Sequence, residues 1–500
     1  MGSGGSSSDT STYLRAKPPG CTASWITIVS RMVMKHGYPS KNDSESCQYS
    51  RLDFDSDEDY SYFFYKVRSE TLETIKAASL LAPETLYSFV EEWLKNQVKK
   101  AADQGQQDKQ LCNLFSPFYL EWEALSQVLE SVMSRVMQSE GYKPTAESGL
   151  ELLRLCLSYQ TTDPLILSTL LSCISGLFVF IRLVPSVLPD VLNKIFSALT
   201  FSLPGQTKDS RSRAVKNVRR HGCSLMVKIA RSYPDILLEA FDFINGVVDS
   251  LSHNPQELSQ MEKVTLQESL MIINNHFHNF EKQSTFIGKV LGPVSEIWLN
   301  MKQPFSSPLD FMSFVGLDKA PVEPSENDVN GQNRAQIIFC VNLIMAVIKR
   351  SEFPTDTDVA ERGYSKAHNL PEAERNNILG LATINSSDPC IDFSKVQQPL
   401  ERMQFFLSMM HDNCYHILGN AGVSLGLQFY QHPHLTDYLV HSSLANLHLI
   451  PDYRLRPIIR TFLKPFIQWC PPQCYQTVLL PILNHLCPFS ECYYYFSLCE

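Results

Sequence analysis

The apolar residues of this chain recur with the period of a helix almost throughout, and almost nowhere with the alternation of a strand. A chain patterned this way cannot build a sheet; each helix must bury one stripe against other helices. Helices are predicted at 23–36, 58–80, 83–103, 117–139, 146–159, 164–183, 186–202, 210–232, 234–252 and 256–279. They continue at 283–301, 308–316, 333–350, 394–418, 435–448, 456–469 and 473–486. Prolines mark the starts: Pro83, Pro164, Pro185, Pro234, Pro255, Pro308 and Pro472 sit where a first-turn proline forfeits no hydrogen bond. Helix pairs return about every forty residues, without a strict sequence period, which is the spacing of HEAT-like units. The expected fold class is therefore all-α, a HEAT-repeat α-solenoid whose antiparallel helix pairs stack because no pair buries its apolar face alone.

Segments that break the pattern set the expected domain limits. Residues 1–21 are rich in Gly, Ser and Thr, carry no apolar core of a secretory signal, and are expected to be disordered. A repeat array is expected over 22–350, an irregular connector over 351–393, further repeats over 394–486 and a divergent tail over 487–500. The most apolar window, 165–184, is interrupted by Ser168, Thr169, Ser172, Ser175 and Arg182, so a core helix is expected there and no membrane insertion. The 14 cysteines stand mostly singly within apolar helical runs, and none forms a CxxC pair. Reduced, buried thiols in an intracellular compartment follow from that usage.

Charge is unevenly spread. The formal net charge is -9, yet residues 208–231, KDSRSRAVKNVRRHGCSLMVKIAR, hold eight Lys or Arg and one acid, Asp209. Wound at about 100° per residue, this helix places Arg213, Lys216, Arg220, Ser224, Lys228 and Arg231 on one face, with Val215, Val218, Gly222, Met226 and Ile229 opposite. A solvated face accounts for many charged stripes. This one lacks acids at i,i+4 spacing, so its charges repel one another unless an outside anion relieves them, and a polyanionic partner is the sharper expectation. The reverse case, five acids among residues 53–59, is expected to cap the following helix.

Three patterns invite a chemical reading. Gly422, Ser424 and Gly426 satisfy GxSxG, but that elbow works only on a strand-to-helix turn and here follows a helical run. Cys470, Cys474, Cys487 and Cys492 with His485 fit no common zinc spacing. Asp412, Cys414 and His416 resemble pieces of a thiol site, but residues two apart on one helix point in different directions. No phosphate-cradling GxxxxGK[ST] occurs. The expectation is a non-enzymatic chain with no cofactor and no metal.

A set of blocks then carries a resemblance: RLDFDSDED (51–59), RAVKNVRRHGCS (213–224), LSQMEK (258–263), NRAQIIFCV (333–341), LERMQFF (400–406), CYHILGNAG (414–422) and IPDYRLRP (450–457). Together, in this order, they resemble the middle HEAT repeats of the exportin-5 family of importin-β (karyopherin) export receptors. The resemblance implies a receptor that carries double-stranded RNA hairpins with a 3′ overhang, such as precursor microRNA, from nucleus to cytoplasm. It implies Ran-GTP and nuclear pore proteins as further partners, and shuttling between the two compartments. Duplex RNA hides its base edges in a deep, narrow groove, so recognition through phosphates, 2′-hydroxyls and end shape suits such a cargo.

By that resemblance Arg220 and Ser224, from the family's RRHxCS motif, offer a guanidinium and a hydroxyl to the overhang. Gln260 in LSQMEK adds a neutral donor and acceptor, and Arg334 in NRAQIIFCV is a phosphate partner; Gln336 stands where a second arginine is expected. Arg213, Lys216 and Lys228 complete the expected RNA-binding set. The family pattern collapses between 354 and 378 and again in the tail. The chain also starts after the N-terminal repeats that hold the GTPase, so independent Ran binding is not expected of it. The alternative is a HEAT scaffold that binds acidic proteins through the same stripe, without RNA.

Overall fold

A computed structural model describes residues 19–35, 45–104, 111–301, 304–319, 328–351 and 399–497. The sequence expectations for 1–18 and for 352–398, which includes most of the connector, fall outside the described residues. Among the described residues there is no strand. The chain forms two compact units, Met1–Ile229 with Pro255–Leu258, and Ala230–Asn254 with Ser259–Glu500.

The first unit contains α1 (Pro19–Met32), α2 (Glu45–Asp53), α3 (Asp57–Leu81), α4 (Pro83–Gln104), α5 (Pro117–Val136), α6 (Ala146–Ser158), α7 (Pro164–Leu177), α8 (Leu188–Leu199) and most of α9 (Arg213–Ser232). Several of these helices pack on partners one or two places away in sequence, α3 on α4 and α5, α5 on α7, α6 on α7 and α8, while α1 reaches α3, α4 and α5. That local covering is the HEAT-repeat arrangement. Helix α5 is central, burying Leu125, Val128, Leu129, Val132 and Val136, with Trp122 stacked on Tyr159 at 5.7 Å between ring centroids. The apolar window lies inside: the stretch Pro164–Arg182 is mostly buried. A second stretch, Val329–Arg350, is also long and apolar enough to cross a membrane.

Local chemistry sets the helix starts. Asp163 accepts hydrogen bonds from Leu165 N and Ile166 N at 2.8 and 3.3 Å, with Pro164 in the first turn. Ser56 caps α3 by accepting from Asp59 N at 3.1 Å, and Asp57, Glu58 and Asp59 occupy its first turn, where the helix dipole favours anions. The acidic run is thus a helix start, and it is preceded by α2, a helix not among those expected.

The second unit continues with α10 (Pro234–Leu238), α11 (Phe241–His253), α12 (Gln260–Asn275), α13 (Phe280–Asn300), α14 (Pro308–Phe314), α15 (Val329–Arg350), α16 (Pro399–Leu425), α17 (Leu427–Tyr430), α18 (Leu435–His441), α19 (Asp452–Ile458), α20 (Lys464–Trp469) and α21 (Leu480–Ser497). The expected helix 234–252 divides because Phe241 turns inward onto Phe277 and Phe286, with ring centroids 5.1 and 5.7 Å away. Helix α12 starts at 260, later than expected, because Ser259 and Glu262 form a capping box there. Pro255 therefore lies in a turn and opens no helix. The last helix runs on to Ser497, beyond the expected end at 486.

Around α16 the packing is close. Between α19 and α20 the chain widens into a π turn, Ile459–Leu463, and Pro465 supplies no N–H to the carbonyl of Thr461. A Cβ placed on Gly419 of α16 would stand 2.0 Å from Thr461 O and 3.3 Å from Pro465 Cγ, so only glycine permits this approach. Gly419→Ala is expected to destabilise the chain by roughly 1–3 kcal/mol, the usual cost of overpacking. Gly288→Ala, at an exposed helical position with nothing within 4 Å of its Cβ, is expected to stabilise by roughly 0.5–1 kcal/mol. Thermal unfolding followed by helical circular dichroism distinguishes the two.

Candidate nucleic-acid interface

Helix α9 begins where Ser212 Oγ accepts from Val215 N at 3.3 Å. From there its apolar side is consumed by packing. Val215, Val218, Gly222, Met226 and Ile229 are buried, and a Cβ on Gly222 would meet Leu199 of α8 at 2.9 Å. Arg213, Lys216, Ser224, Lys228 and Arg231 are exposed, and Arg220 is half-buried. The two faces are those that the helical period dictates.

The basic residues are not equivalent. Lys208 donates to Pro255 O at 2.7 Å, Arg211 donates to Glu257 O and Gln256 O at 2.9 and 3.3 Å, and Arg219 donates to Glu257 O at 2.6 Å. Arg219 is fully buried; it also donates to Phe201 O at 3.3 Å and pairs with Glu257 Oε1 at 3.2 Å. Three cations thus hold the short segment Pro255–Leu258 in the first unit. Lys228 pairs with Glu130 at 2.6 Å, and Arg231 meets Glu268 at 3.6 Å. This corrects the expectation of unrelieved repulsion: acids distant in sequence neutralise part of the stripe.

What remains is its N-terminal half. Among the described residues Arg213 and Lys216 have no hydrogen-bond or ion-pair partner, and Arg220 bonds only the Asn217 side chain on its own helix. They span about 10 Å of helix, and Ser224 follows one turn beyond Arg220. Such a row presents guanidinium and ammonium donors to solvent with no acid to displace, a suitable counterpart for successive phosphates. Lys228 is held by an exposed pair worth roughly 0–1 kcal/mol, which a competing anion can exchange.

His221 lies on the packed side, with Nδ1 at 2.8 Å from Ser168 Oγ and Nε2 at 3.4 Å from Ser172 Oγ. Burial, and then the charge of Lys228, push its pKa below the ordinary 6.5, against the pull of Glu130.

The sequence model of the Exportin-5 family matches residues 19–352 and 360–497. The chain belongs to the exportin-5 family. Human Exportin-5 is 36% identical over 520 residues, an overlap of 91% of this chain and 43% of the human protein. Dictyostelium discoideum Exportin-5 is 24% identical over 523 residues, covering 91% of this chain and 45% of that protein. The chain thus spans less than half the length of these relatives. A solved structure titled "Importin13 cytosolic state" aligns with a TM-score of 0.49 and 14% identity, over 97% of this chain and 45% of its own.

Within the exportin-5 motif 219–224, four positions serve packing. Arg219 anchors the 255–258 segment, His221 meets the α7 serines, Gly222 meets α8, and Cys223 is buried. Only Arg220 and Ser224 face outward. Elsewhere Gln260 opens α12, half-buried. Arg334 is engaged inside the fold: it donates to Val315 O, and its Nη2 lies 3.7 Å from Asp328. Any phosphate it met would compete with those contacts; Val315 ends α14, 19 residues away, and Asp328 caps α15.

The chemical patterns have structural explanations. Ser424 Oγ donates to Ile348 O at 2.7 Å, and Gly422 gives room to the Tyr430 hydroxyl, so GxSxG is a helix end. Asp412 pairs with Arg454 of the 450–457 block at 2.9 Å, and His485 meets Leu444 O at 3.0 Å. Among the described residues no His, Cys, Asp or Glu group is arranged to hold a metal.

Arg219→Ala is expected to cost roughly 3 kcal/mol, because it strands buried partners, whereas Arg213→Ala stays within about 0.5 kcal/mol. Denaturant midpoints of the full chain read the difference. A depressed His221 pKa means that its contribution is present above 6.5 and lost as pH falls below it. The unfolding midpoint should drop across that range, and by less in His221→Gln.

Proposed function

We propose that the chain belongs to a karyopherin-type nuclear export receptor and that its part of the receptor binds double-stranded RNA hairpins with a 3′ overhang, such as precursor microRNA. The supporting observation is the row of Arg213, Lys216 and Arg220, outward and without an acidic partner among the described residues. In this reading Arg213, Lys216 and Lys228 meet phosphates, while Arg220 and Ser224 receive the overhang. Gln260 and Arg334 belong to the same expected RNA-binding set. Phosphate contacts fix position and 2′-hydroxyls distinguish RNA from DNA, so the cargo is chosen by shape and end structure. Ran-GTP, nuclear pore proteins and shuttling between nucleus and cytoplasm belong to the same reading. So do repeat arrays over 22–350 and 394–486 flanking a connector. It assigns the chain no catalytic step.

A gel shift of the full chain with an RNA hairpin, with and without its overhang and at several salt concentrations, tests this reading. The overhang-bearing hairpin should bind more tightly. Affinity should fall steeply with salt, and Arg220→Ala should weaken binding while helical circular dichroism stays intact. Equal affinity of wild type and Arg220→Ala, or retention of acidic proteins without any RNA binding, would replace it with the protein-scaffold alternative.

A further inference from the structure

The second unit holds another concentration of positive charge, at the C-terminal ends of two helices. Arg231 lies in the last turn of α9, and Lys349 and Arg350 in the last turn of α15. One carboxylate, Glu268 of α12, stands among them: Arg350 Nε lies 2.6 Å from Glu268 Oε1, and Arg231 Nη2 lies 3.6 Å from the same oxygen. Lys349 is close enough that its charge acts on Glu268, Arg231 and His416 of α16. Asp412, whose charge acts on His416, is taken by Arg454 at 2.9 Å.

The charges do not cancel. Three cations face one carboxylate, and each helix C-terminus adds about half a negative charge, leaving an excess of about one positive charge. Helix-end complementarity therefore explains part of the cluster and leaves a remainder. The members also differ in how far they are committed. Arg350 is the structural one, its side chain 10% exposed and its Nε on Glu268. Arg231 is 42% exposed, with only a loose contact. Lys349 has no hydrogen bond and no ion pair within 4 Å among the described residues. Burial lowers its pKa, and Arg231 adds to that, while Glu268 opposes it. An ammonium with three unspent donors beside a partly free guanidinium lacks an acceptor-rich anion.

We propose that Lys349 and Arg231, beside the Arg350–Glu268 pair, bind a backbone phosphate of the RNA duplex. This site is additional to the Arg213, Lys216 and Arg220 row and rests on the RNA-binding reading above. A phosphodiester carries the single negative charge that the cluster lacks, and its two free oxygens accept one donor from each cation. Glu268 keeps Arg350 occupied, so the two outer cations are left for the ligand.

The test is fluorescence anisotropy of the full chain with a labelled short RNA duplex bearing a 3′ overhang, across a salt series. Lys349→Gln and Arg231→Gln should each weaken binding several-fold and reduce the log–log salt slope by about one, whereas Lys349→Arg should restore both. The exposed Arg231 makes its variant informative if Lys349→Gln unfolds. Wild-type binding with affinity and slope unchanged in both glutamine variants overturns this site alone. Loss of polyglutamate binding in those variants, with duplex binding intact, assigns the cluster to an acidic protein and also overturns it. A wild type that binds no duplex overturns this site together with the reading on which it rests.

Discussion

Every element of this chain depends on one requirement: an amphipathic helix must have its apolar stripe covered, and here the cover comes from helices nearby in sequence. Helix α5 shows the consequence, lying between α3 and α7 and burying a nearly continuous row from Leu120 to Val136. Where covering must be close, the chain uses small residues. Gly149 makes room for the Phe180 ring, Gly222 for Leu199 and Gly419 for the Thr461 carbonyl. Helices covered on one side only, such as α9, keep an outer face for other uses.

Helix α9 shows how those uses divide. Its packed side is fixed by apolar spacing, and its outer side by charge, but the boundary between them carries Arg219, a buried cation. Burying a guanidinium is costly unless its donors are satisfied. The carbonyls of Phe201 and Glu257 and the Glu257 carboxylate satisfy them, and in doing so they fasten a segment from beyond α11 into the first unit. A residue that looks in sequence like one more member of a basic stripe is therefore a strut. Its neighbour Arg220, one residue on and rotated by about 100°, is free to meet a ligand.

The same distinction separates the remaining basic residues. Arg334 and Arg350 are held by the fold, whereas Arg213, Lys216 and Lys349 are not. Excess positive charge left after internal pairing identifies candidate anion contacts better than raw composition does. The chain as a whole is acidic, so candidate anion contacts are found where acids are missing, not from net charge.

The sequence by itself determined most of the helices, several of their starts and the two faces of α9, because these follow from interactions within a turn or two. Proline and Asp at 163–164 set the start of α7, Ser56 with its acids set α3, and a period of 3.6 sorted Val215, Val218 and Met226 from Arg213, Lys216 and Ser224. Only the tertiary structure decided which cations were already paired. Glu130 lies 98 residues from Lys228, Glu257 lies 38 from Arg219, and Glu268 lies 82 from Arg350. No local rule links such positions. Their pairing depends on which helices the packing brings together, and the free charge of the candidate site is what remains afterwards.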